Sequence, residues 1–179
     1  MITINNEYLL QRIVAQFAQK ITSAEAPFGL LTIDLQKDQI VEVLNFLYHD
    51  EVLQMQFLTD ICGVHYAENA PETEFAVVYH LHSLVNNIRL RLKCYLSRTD
   101  LRIATATPVF KAANWMERET FDFYGIVFEN HPDLRRILNI DEMDYHPLRK
   151  EYALEDETRT DKDDRYFGRE GNEGVKFDK

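Results

Sequence analysis

His80 and His82 are the first residues whose types and spacing could do chemistry. Alternate residues of a strand face the same side of a sheet, so two imidazoles could share a metal ion, as in a metal-dependent hydrolase. Residues 86–87, Asn-Asn, favour a two-residue hairpin loop, because asparagine tolerates a positive φ. That register puts Arg91 and Lys93 opposite the two histidines, with Arg91 facing His82, so a dication would sit among fixed positive charges. We favour a polar sheet face that meets solvent or an acidic partner, and keep the hydrolase as a remote alternative.

Cysteine–histidine catalysis is the second arrangement to consider, because Asp60, Cys62 and His65 are close in sequence. On a strand, Asp60 and Cys62 share one face while His65 points to the other, so no base lies beside the thiol. Cys62 and Cys94 belong to no CxxC pair, and we interpret both as buried thiols. The sequence also lacks GxGxxG, GxxxxGK[ST] and GxSxG. We therefore predict no catalytic, cofactor-binding or metal-binding residue in this chain.

The third and most specific arrangement is the run ERETFDFYGIVFENHPDLRRIL, at 117–138, in which charged residues lie beside aromatic ones. Helical spacing predicts an ion pair between Arg118 and Asp122, one turn apart. Gly125 is placed to end this helix in the left-handed conformation, and Pro132 fits the first position of a second short helix. A solvated helix face with ordinary caps would explain such a pattern. Aromatic side chains beside arginines also fit a protein interface.

Length and composition limit the elements that could position these residues. The 179 residues include 45% hydrophobic residues, enough for one domain of about 100 to 200 residues and a tail. Thirty acidic against twenty basic residues give a net charge of -10, which makes nucleic acid a poor partner. No apolar run approaches the roughly 18 to 20 residues that cross a bilayer, and no signal pattern opens the chain, so we expect a soluble, cytosolic protein.

Two helices and a strand are predicted in the first fifty residues. Apolar residues at helical spacing run from Leu10 to Ile21, which indicates an amphipathic helix. A buried strand is predicted over residues 28–35. A second helix is predicted from Asp38, as its N-cap, to His49.

The middle of the chain alternates between apolar and polar residues, which predicts strands over residues 55–66, 73–85, 88–96 and 101–107. A helix is predicted to begin near Ala112. Hairpin-joined strands followed by a helix are typical of the α+β class. We predict a largely antiparallel mixed sheet with helices packed on it, in a single globular domain over residues 1–140.

Residues 141–179 differ in character, with thirteen acidic and eight basic residues and few apolar ones. Such a segment buries too little surface to fold alone. We predict a charged, extended tail that docks on a partner, and a disordered tail remains the alternative. Seven residues are spaced as anchors along such a partner: Tyr145, Leu148, Tyr152, Leu154, Tyr166, Phe167 and Phe177.

The stretch from Trp115 to Tyr152 strongly resembles the signature of the C-type subunit of respiratory complex I, the 30 kDa subunit family of NADH:quinone oxidoreductase. A second family-like string, HPLRKEY, occupies 146–152. Family members often carry glycine at the position of Asn130, where asparagine can still adopt a positive φ. The residues that match the family motif, or that we assign to a partner interface, are Trp115, Glu117, Arg118, Glu119, Asp122, Gly125, His131, Pro132, Arg135, Arg136, His146, Arg149 and Lys150.

This resemblance implies a non-catalytic structural subunit in the hydrophilic arm of the complex, packed against the D-type subunit that helps form the quinone site. The complex would use FMN, iron–sulfur clusters, NADH and quinone in other subunits, and none in this one. Membrane association would be indirect, at the cytoplasmic face of the cell inner membrane. The nearest alternative is a homologous subunit of photosynthetic NDH or of a membrane-bound hydrogenase, and a generic adaptor outside respiration is a third class.

Overall fold

The computed structural model describes residues 4–152, which form a five-stranded mixed sheet with helices. The strands are β1 Ile21–Glu25, β2 Leu31–Leu35, β3 Phe57–His65, β4 Phe75–Ser83 and β5 Ile88–Leu96. Their order in the sheet is β1-β2-β5-β4-β3. The β2–β5 pair is parallel, and the other three pairs are antiparallel. The fold class is therefore confirmed, with three antiparallel strand pairs against one parallel pair.

Three α-helices and a second, smaller sheet complete the described fold. The helices are α1 Asn6–Phe17, α2 Ile40–His49 and α3 Ala113–Tyr124. Strands β6 Arg102–Ala104 and β7 Val127–Glu129 form a parallel pair beside α3. Short 3₁₀ turns lie at Ala18–Lys20, Pro27–Gly29, Lys37–Gln39 and Pro71–Thr73. Among the described residues, no helix is both long and apolar enough to span a bilayer.

The core forms where the alternating apolar residues of the strands meet the apolar stripes of the helices. Phe75, Val77, Tyr79 and Leu81 of β4 are all buried, as the alternation predicts. The corresponding residues of β5 are buried as well, and they share one hydrophobic cluster with Leu9 of α1. The apolar face predicted for α2 is confirmed by its buried residues Ile40, Val43, Leu44 and Leu47.

Several predicted element ends differ from the structure. Helix α1 ends at Phe17, and Ile21 opens β1 instead of continuing the helix. Asp38 lies inside a 3₁₀ turn, so it is not the N-cap of α2. Strand β2 begins at Leu31 because the preceding residues turn, with Phe28 at φ 53°.

The predicted two-residue hairpin is wrong by two residues in register. Ser83 pairs with Ile88, which leaves a four-residue loop at 84–87. The physical reason is Asn86, whose side-chain amide donates to the Val52 and Leu53 carbonyls and so fixes the loop to the turn before β3. Arg91 consequently lies opposite His80, and Arg89 lies opposite His82.

The described part of the predicted tail, residues 141–152, lies against the domain. Leu148 N–H donates to the Phe123 carbonyl, and Arg149 Nε donates to the Tyr124 carbonyl, both at the end of α3. The division between a globular domain at 1–140 and a docking tail at 141–179 stays a prediction. The anchors predicted at Leu154, Tyr166, Phe167 and Phe177 lie outside the described residues.

Candidate functional site

Helix α3 carries five of the thirteen candidate residues, and Gly63 lets it lie directly on β3. A Cβ built at Gly63 would stand 2.6 Å from Tyr124 Cδ2 and 3.0 Å from Thr120 Cγ2. A glycine inside a strand often marks such a close approach. The absence of a side chain on one strand residue thus sets the depth at which α3 packs.

Asp122 is the hub of the site and is fully buried. Its Oδ2 accepts the backbone N–H groups of Ile137, Leu138 and Asn139 at 2.8 to 3.1 Å. Its Oδ1 accepts Arg136 Nη1 at 2.7 Å and the Asn139 amide at 3.0 Å. Burial alone would raise the pKa of Asp122, but these donors outweigh it and hold the pKa well below its usual range.

The loop held by Asp122 replaces the second helix predicted to begin at Pro132. Residues 131–139 contain no helix. The three consecutive N–H groups of residues 137–139 donate to the Asp122 carboxylate. These hydrogen bonds compete with the backbone hydrogen bonds that a helix would need. Pro132 is exposed beside this loop, and Asn130 adopts φ 63°, as expected for a position that suits glycine.

Arg118 does not pair with Asp122, so that prediction is wrong. Asp122 forms its ion pair with Arg136. The Arg118 guanidinium donates instead to the Arg135 and Arg136 carbonyls, at 3.2 and 3.3 Å. The same guanidinium lies over the Trp115 ring, 5.0 Å from its centroid. Arg118 therefore ties the loop to α3 independently of Asp122 and lies against an exposed aromatic ring.

Glu117 joins α3 to the segment that follows β6. Its carboxylate accepts the Thr105 hydroxyl at 2.5 Å and the Ala106 N–H at 2.6 Å. Burial raises the pKa of Glu117 to about 7, and the two donors only partly oppose that rise. His131 Nε2 lies 3.9 Å from the carboxylate and donates to the Asn114 carbonyl. The other ring nitrogen of His131 accepts the Asp133 N–H, which fits a neutral imidazole.

We expect Glu117→Gln to remove a pH dependence of stability. The pKa of Glu117 rises from its usual 4.5 to about 7 in the fold, so its contribution is present below about pH 4.5 and is lost as the pH rises through 7. Chemical denaturation should show the wild-type free energy of unfolding falling by up to about 3 kcal/mol across this window, and a flatter profile for the variant. Glu119→Gln, at an exposed position on the same helix, is the control and should keep the wild-type slope. Equal slopes for wild type and Glu117→Gln would contradict this role.

The segment 146–152 closes the carboxyl end of α3. The last four carbonyls of a helix need partners from outside the helix. The Phe121 carbonyl accepts the N–H of Gly125, the residue that follows α3. The carbonyl of Asp122 accepts from His146 Nδ1 at 2.9 Å and from Arg136 Nη1. The next two carbonyls are bonded by the backbone of residue 148 and the side chain of residue 149. All four groups are therefore satisfied.

Gly125 makes this closure possible in two ways. It adopts φ 73°, the left-handed conformation that the sequence predicts for the helix end. A Cβ at this position would also stand 2.5 to 2.6 Å from the side chains of His146 and Arg149.

A second set of contacts fixes the same segment to the sheet. The Lys150 N–H donates to His65 Nδ1 at 2.9 Å, and His65 Nε2 lies 2.9 Å from the Glu74 carboxylate. Arg98 joins Glu74 to Glu151. His65 and Glu74 were not predicted as site residues. The Lys150 N–H that His65 accepts lies 85 residues away in the sequence, so this contact leaves no local signal.

The candidate residues thus divide into two groups by exposure. Exposed members are Trp115, Glu119, Pro132, Arg135 and Lys150. Buried or half-buried members, which make internal contacts, are Glu117, Arg118, Asp122, Gly125, His131, Arg136, His146 and Arg149.

Several large apolar side chains lie exposed on the elements that Asp122 and α3 hold. We call them the C-terminal apolar surface: Trp115, Leu138, Ile140, Tyr145, Leu148 and Tyr152, each 38 to 66% exposed. The rings of Tyr145 and Tyr152 lie 4.8 Å apart, so these two members are in contact. The loop and the segment therefore present apolar groups outward while their polar groups are bonded internally.

The histidine and cysteine arrangements gain no support as chemical sites. His80 Nε2 accepts Arg91 Nε at 2.9 Å, so a cation occupies the position that a metal would need. Burial raises the pKa of Cys62 to about 11, which keeps it a thiol near neutral pH. Among residues 4–152, no cluster of three or more histidine, cysteine or acidic residues is arranged to hold a metal ion.

The fold and the site together define an α+β protein in which buried charges hold a loop and a segment that carry exposed apolar side chains. Residues 33–158 match the model of the respiratory-chain NADH dehydrogenase 30 kDa subunit family. The C-type subunit of NADH-quinone oxidoreductase from Methylobacterium radiotolerans is 42% identical over 82% of this chain and 66% of its own length. The corresponding protein from Caulobacter vibrioides is 45% identical over 83% of this chain and 73% of its own length.

Two solved structures share the fold. A trypsin-resistant fragment of Nqo5 is 32% identical, with a TM-score of 0.61, over 72% of this chain and 98% of the fragment. A chain of an archaeal membrane-bound sulfane sulfur reductase has a TM-score of 0.69 over 83% of this chain and 85% of its own, at 22% identity, which shows the fold alone. The chain belongs to the 30 kDa subunit family of respiratory-chain NADH dehydrogenase. The family predicted from residues 115–152 is thereby confirmed, and so is its subunit type.

Proposed function

We propose that this chain is a structural subunit of the hydrophilic arm of a proton-translocating NADH:quinone oxidoreductase, packed against the D-type subunit. It supports electron transfer from NADH to quinone, while FMN and iron–sulfur clusters in other subunits carry the electrons. Its membrane association is indirect, at the cytoplasmic face of the inner membrane. The observation that carries the proposal is the C-terminal apolar surface.

The composition of this surface favours a protein partner. Its six members include one tryptophan and two tyrosines, the residue types that most often dominate binding energy in interfaces. Arg135 and Lys150 are exposed on the same loop and segment, and suit a polar rim.

The contacts beneath the surface support a preorganised interface. The Leu138 backbone N–H donates to the Asp122 carboxylate at 2.8 Å, and the Arg136 guanidinium donates to the Tyr145 backbone carbonyl at 3.0 Å. Fixing these backbone groups before association lowers the entropy lost on binding. The buried motif residues are therefore positioning residues, and the exposed ones are proposed contacts.

The decisive experiment is the double variant Leu138→Ser, Tyr152→Ser in the full chain. It is expressed in the native host, and the complex is recovered from the membranes by affinity purification. Both side chains are exposed, so the melting temperature of the purified chain should not change. Loss of two interface anchors should lower recovery of the D-type subunit by at least about tenfold on affinity purification. NADH:quinone reductase activity of the membranes should fall with it.

Val14→Ser is the matched control, because Val14 is an exposed apolar residue on α1. It should leave recovery and activity at the wild-type level. Full recovery of the D-type subunit with the double variant would contradict the proposal. Co-purification of hydrogenase or photosynthetic NDH subunits would assign the chain to one of those related machines instead.

A further inference from the structure

A second group of exposed apolar residues lies at the opposite end of the five-stranded sheet. Phe57 opens β3 and pairs with His82, next to the loop at 84–87. Leu31 at the start of β2 pairs with Leu90, which brings the loop 26–30 to this same end. The backbone of Lys150 docks at the other end of β3, so about 26 Å of strand separates the two ends.

We call this group the hairpin-end surface: Phe28, Phe57, Leu84 and Val85. Their exposed fractions are 108, 47, 67 and 72%. Phe28 stands at the tip of its loop, fully clear of the domain. Four large apolar side chains therefore lie exposed at one end of the sheet, and clustered exposed apolar residues often mark interaction sites.

The backbone at this end contains several residues with a positive φ. Phe28, Gln54 and Asn87 adopt φ of 53, 45 and 50°, three of the four positive-φ residues other than glycine in the described chain. For a bulky residue such as Phe28 this conformation is strained, and strained positions cluster at binding sites. The loops are also tied down: Asn6 Nδ2 donates to the Gly29 carbonyl, and the residue 86 amide donates to the Val52 carbonyl.

The charges beside the patch specify the chemistry of its partner. Arg89 is exposed and lies opposite His82, whose Nε2 has no hydrogen-bond partner within residues 4–152. Within the same range, Arg89 and Arg91 have no carboxylate within 4.0 Å. In a chain of net charge -10, two arginines left without acidic partners favour carboxylates supplied from outside.

We propose that the hairpin-end surface binds an apolar segment with nearby carboxylates from a second subunit, so that the chain bridges two neighbours. An anionic lipid surface is disfavoured because two cations cannot offset the repulsion of a chain that carries ten excess negative charges. The inference rests on the proposed function only for placing the chain in a complex of several subunits.

Photo-crosslinking in the assembled complex tests this proposal. A benzophenone amino acid replaces Val85, or Tyr152 in a second strain, and the joined peptides are mapped by mass spectrometry. From position 85 we expect an apolar peptide with aspartate or glutamate, from a subunit other than the one reached from position 152. Adducts to lipid, to a second copy, to residues 153–179 of the same chain, or to the same subunit from both positions would overturn it. Failure at position 152 alone would count against the proposed function and against the bridge, while the expected adduct from position 85 would still support binding at the hairpin-end surface.

The variant Phe28→Asn separates binding from folding. Asparagine accepts a positive φ more readily than phenylalanine, so the melting temperature should rise or stay constant. The yield of the adduct from position 85 should nevertheless fall about tenfold, because an anchor is lost. Arg89→Glu should lower the yield similarly, and Val14→Ser should not. An unchanged adduct yield in both Phe28→Asn and Arg89→Glu would overturn the proposal.

Discussion

Asp122→Ala should lower the free energy of unfolding by about 3 to 5 kcal/mol, the usual cost of removing one partner from a buried charge pair. The carboxylate is fully buried and binds five donors, which include Arg136. Its removal leaves that guanidinium and three backbone N–H groups without their acceptor. Chemical denaturation of the purified chain measures the loss, and limited proteolysis should show earlier cleavage within 136–152.

The matched control is Asp133→Ala, which breaks an ion pair with Arg135 between largely exposed side chains. Exposed pairs contribute about 0 to 1 kcal/mol, so this variant should unfold almost as the wild type does. A loss below about 1 kcal/mol for Asp122→Ala would contradict its place as the hub of the site.

The two variants should also differ in acid. Because the pKa of Asp122 is held far below its usual range, its contribution is present above the unfolded-state pKa of about 3.9 and is lost as the pH falls below it. Asp122→Ala should therefore flatten the acid limb of the stability profile, while Asp133→Ala keeps it.

Gly63→Ala should destabilise the fold by about 1 to 3 kcal/mol and push α3 away from β3. The new methyl group would meet the Tyr124 ring at 2.6 Å and Thr120 Cγ2 at 3.0 Å. Because α3 carries Asp122, a shift of the helix should also weaken binding of the D-type subunit in affinity purification. Thermal unfolding and that recovery are the two measurements.

A double-variant cycle tests the cause of this effect. If the Tyr124 ring is the obstacle, Tyr124→Ala combined with Gly63→Ala should cost less than the sum of the single changes. Strict additivity of the Gly63 and Tyr124 changes would show that the predicted contact is not the cause.

Much of the fold could be predicted because the signals are local. Alternation in β4 and β5, the apolar stripe of α2 and the glycine that ends α3 each depend on residues a few positions apart. The family signature was readable for a similar reason, since most of its identities fall in one stretch of the chain. Element ends were less accurate, as in the loop at 84–87, because Asn86 bonds to carbonyls more than thirty residues away.

The sequence by itself determined the fold class and the family. Only the tertiary structure decided the roles of the site residues: Asp122 binds Arg136 instead of Arg118, and a buried His65 receives the backbone of Lys150. The reason is physical. A buried charge is stabilised by whichever donors the packed chain brings within about 3 Å. The helical spacing of Arg118 and Asp122 permits an ion pair between them. It cannot show that Arg136, fourteen residues after Asp122, lies in a loop that brings its guanidinium to the Asp122 carboxylate instead.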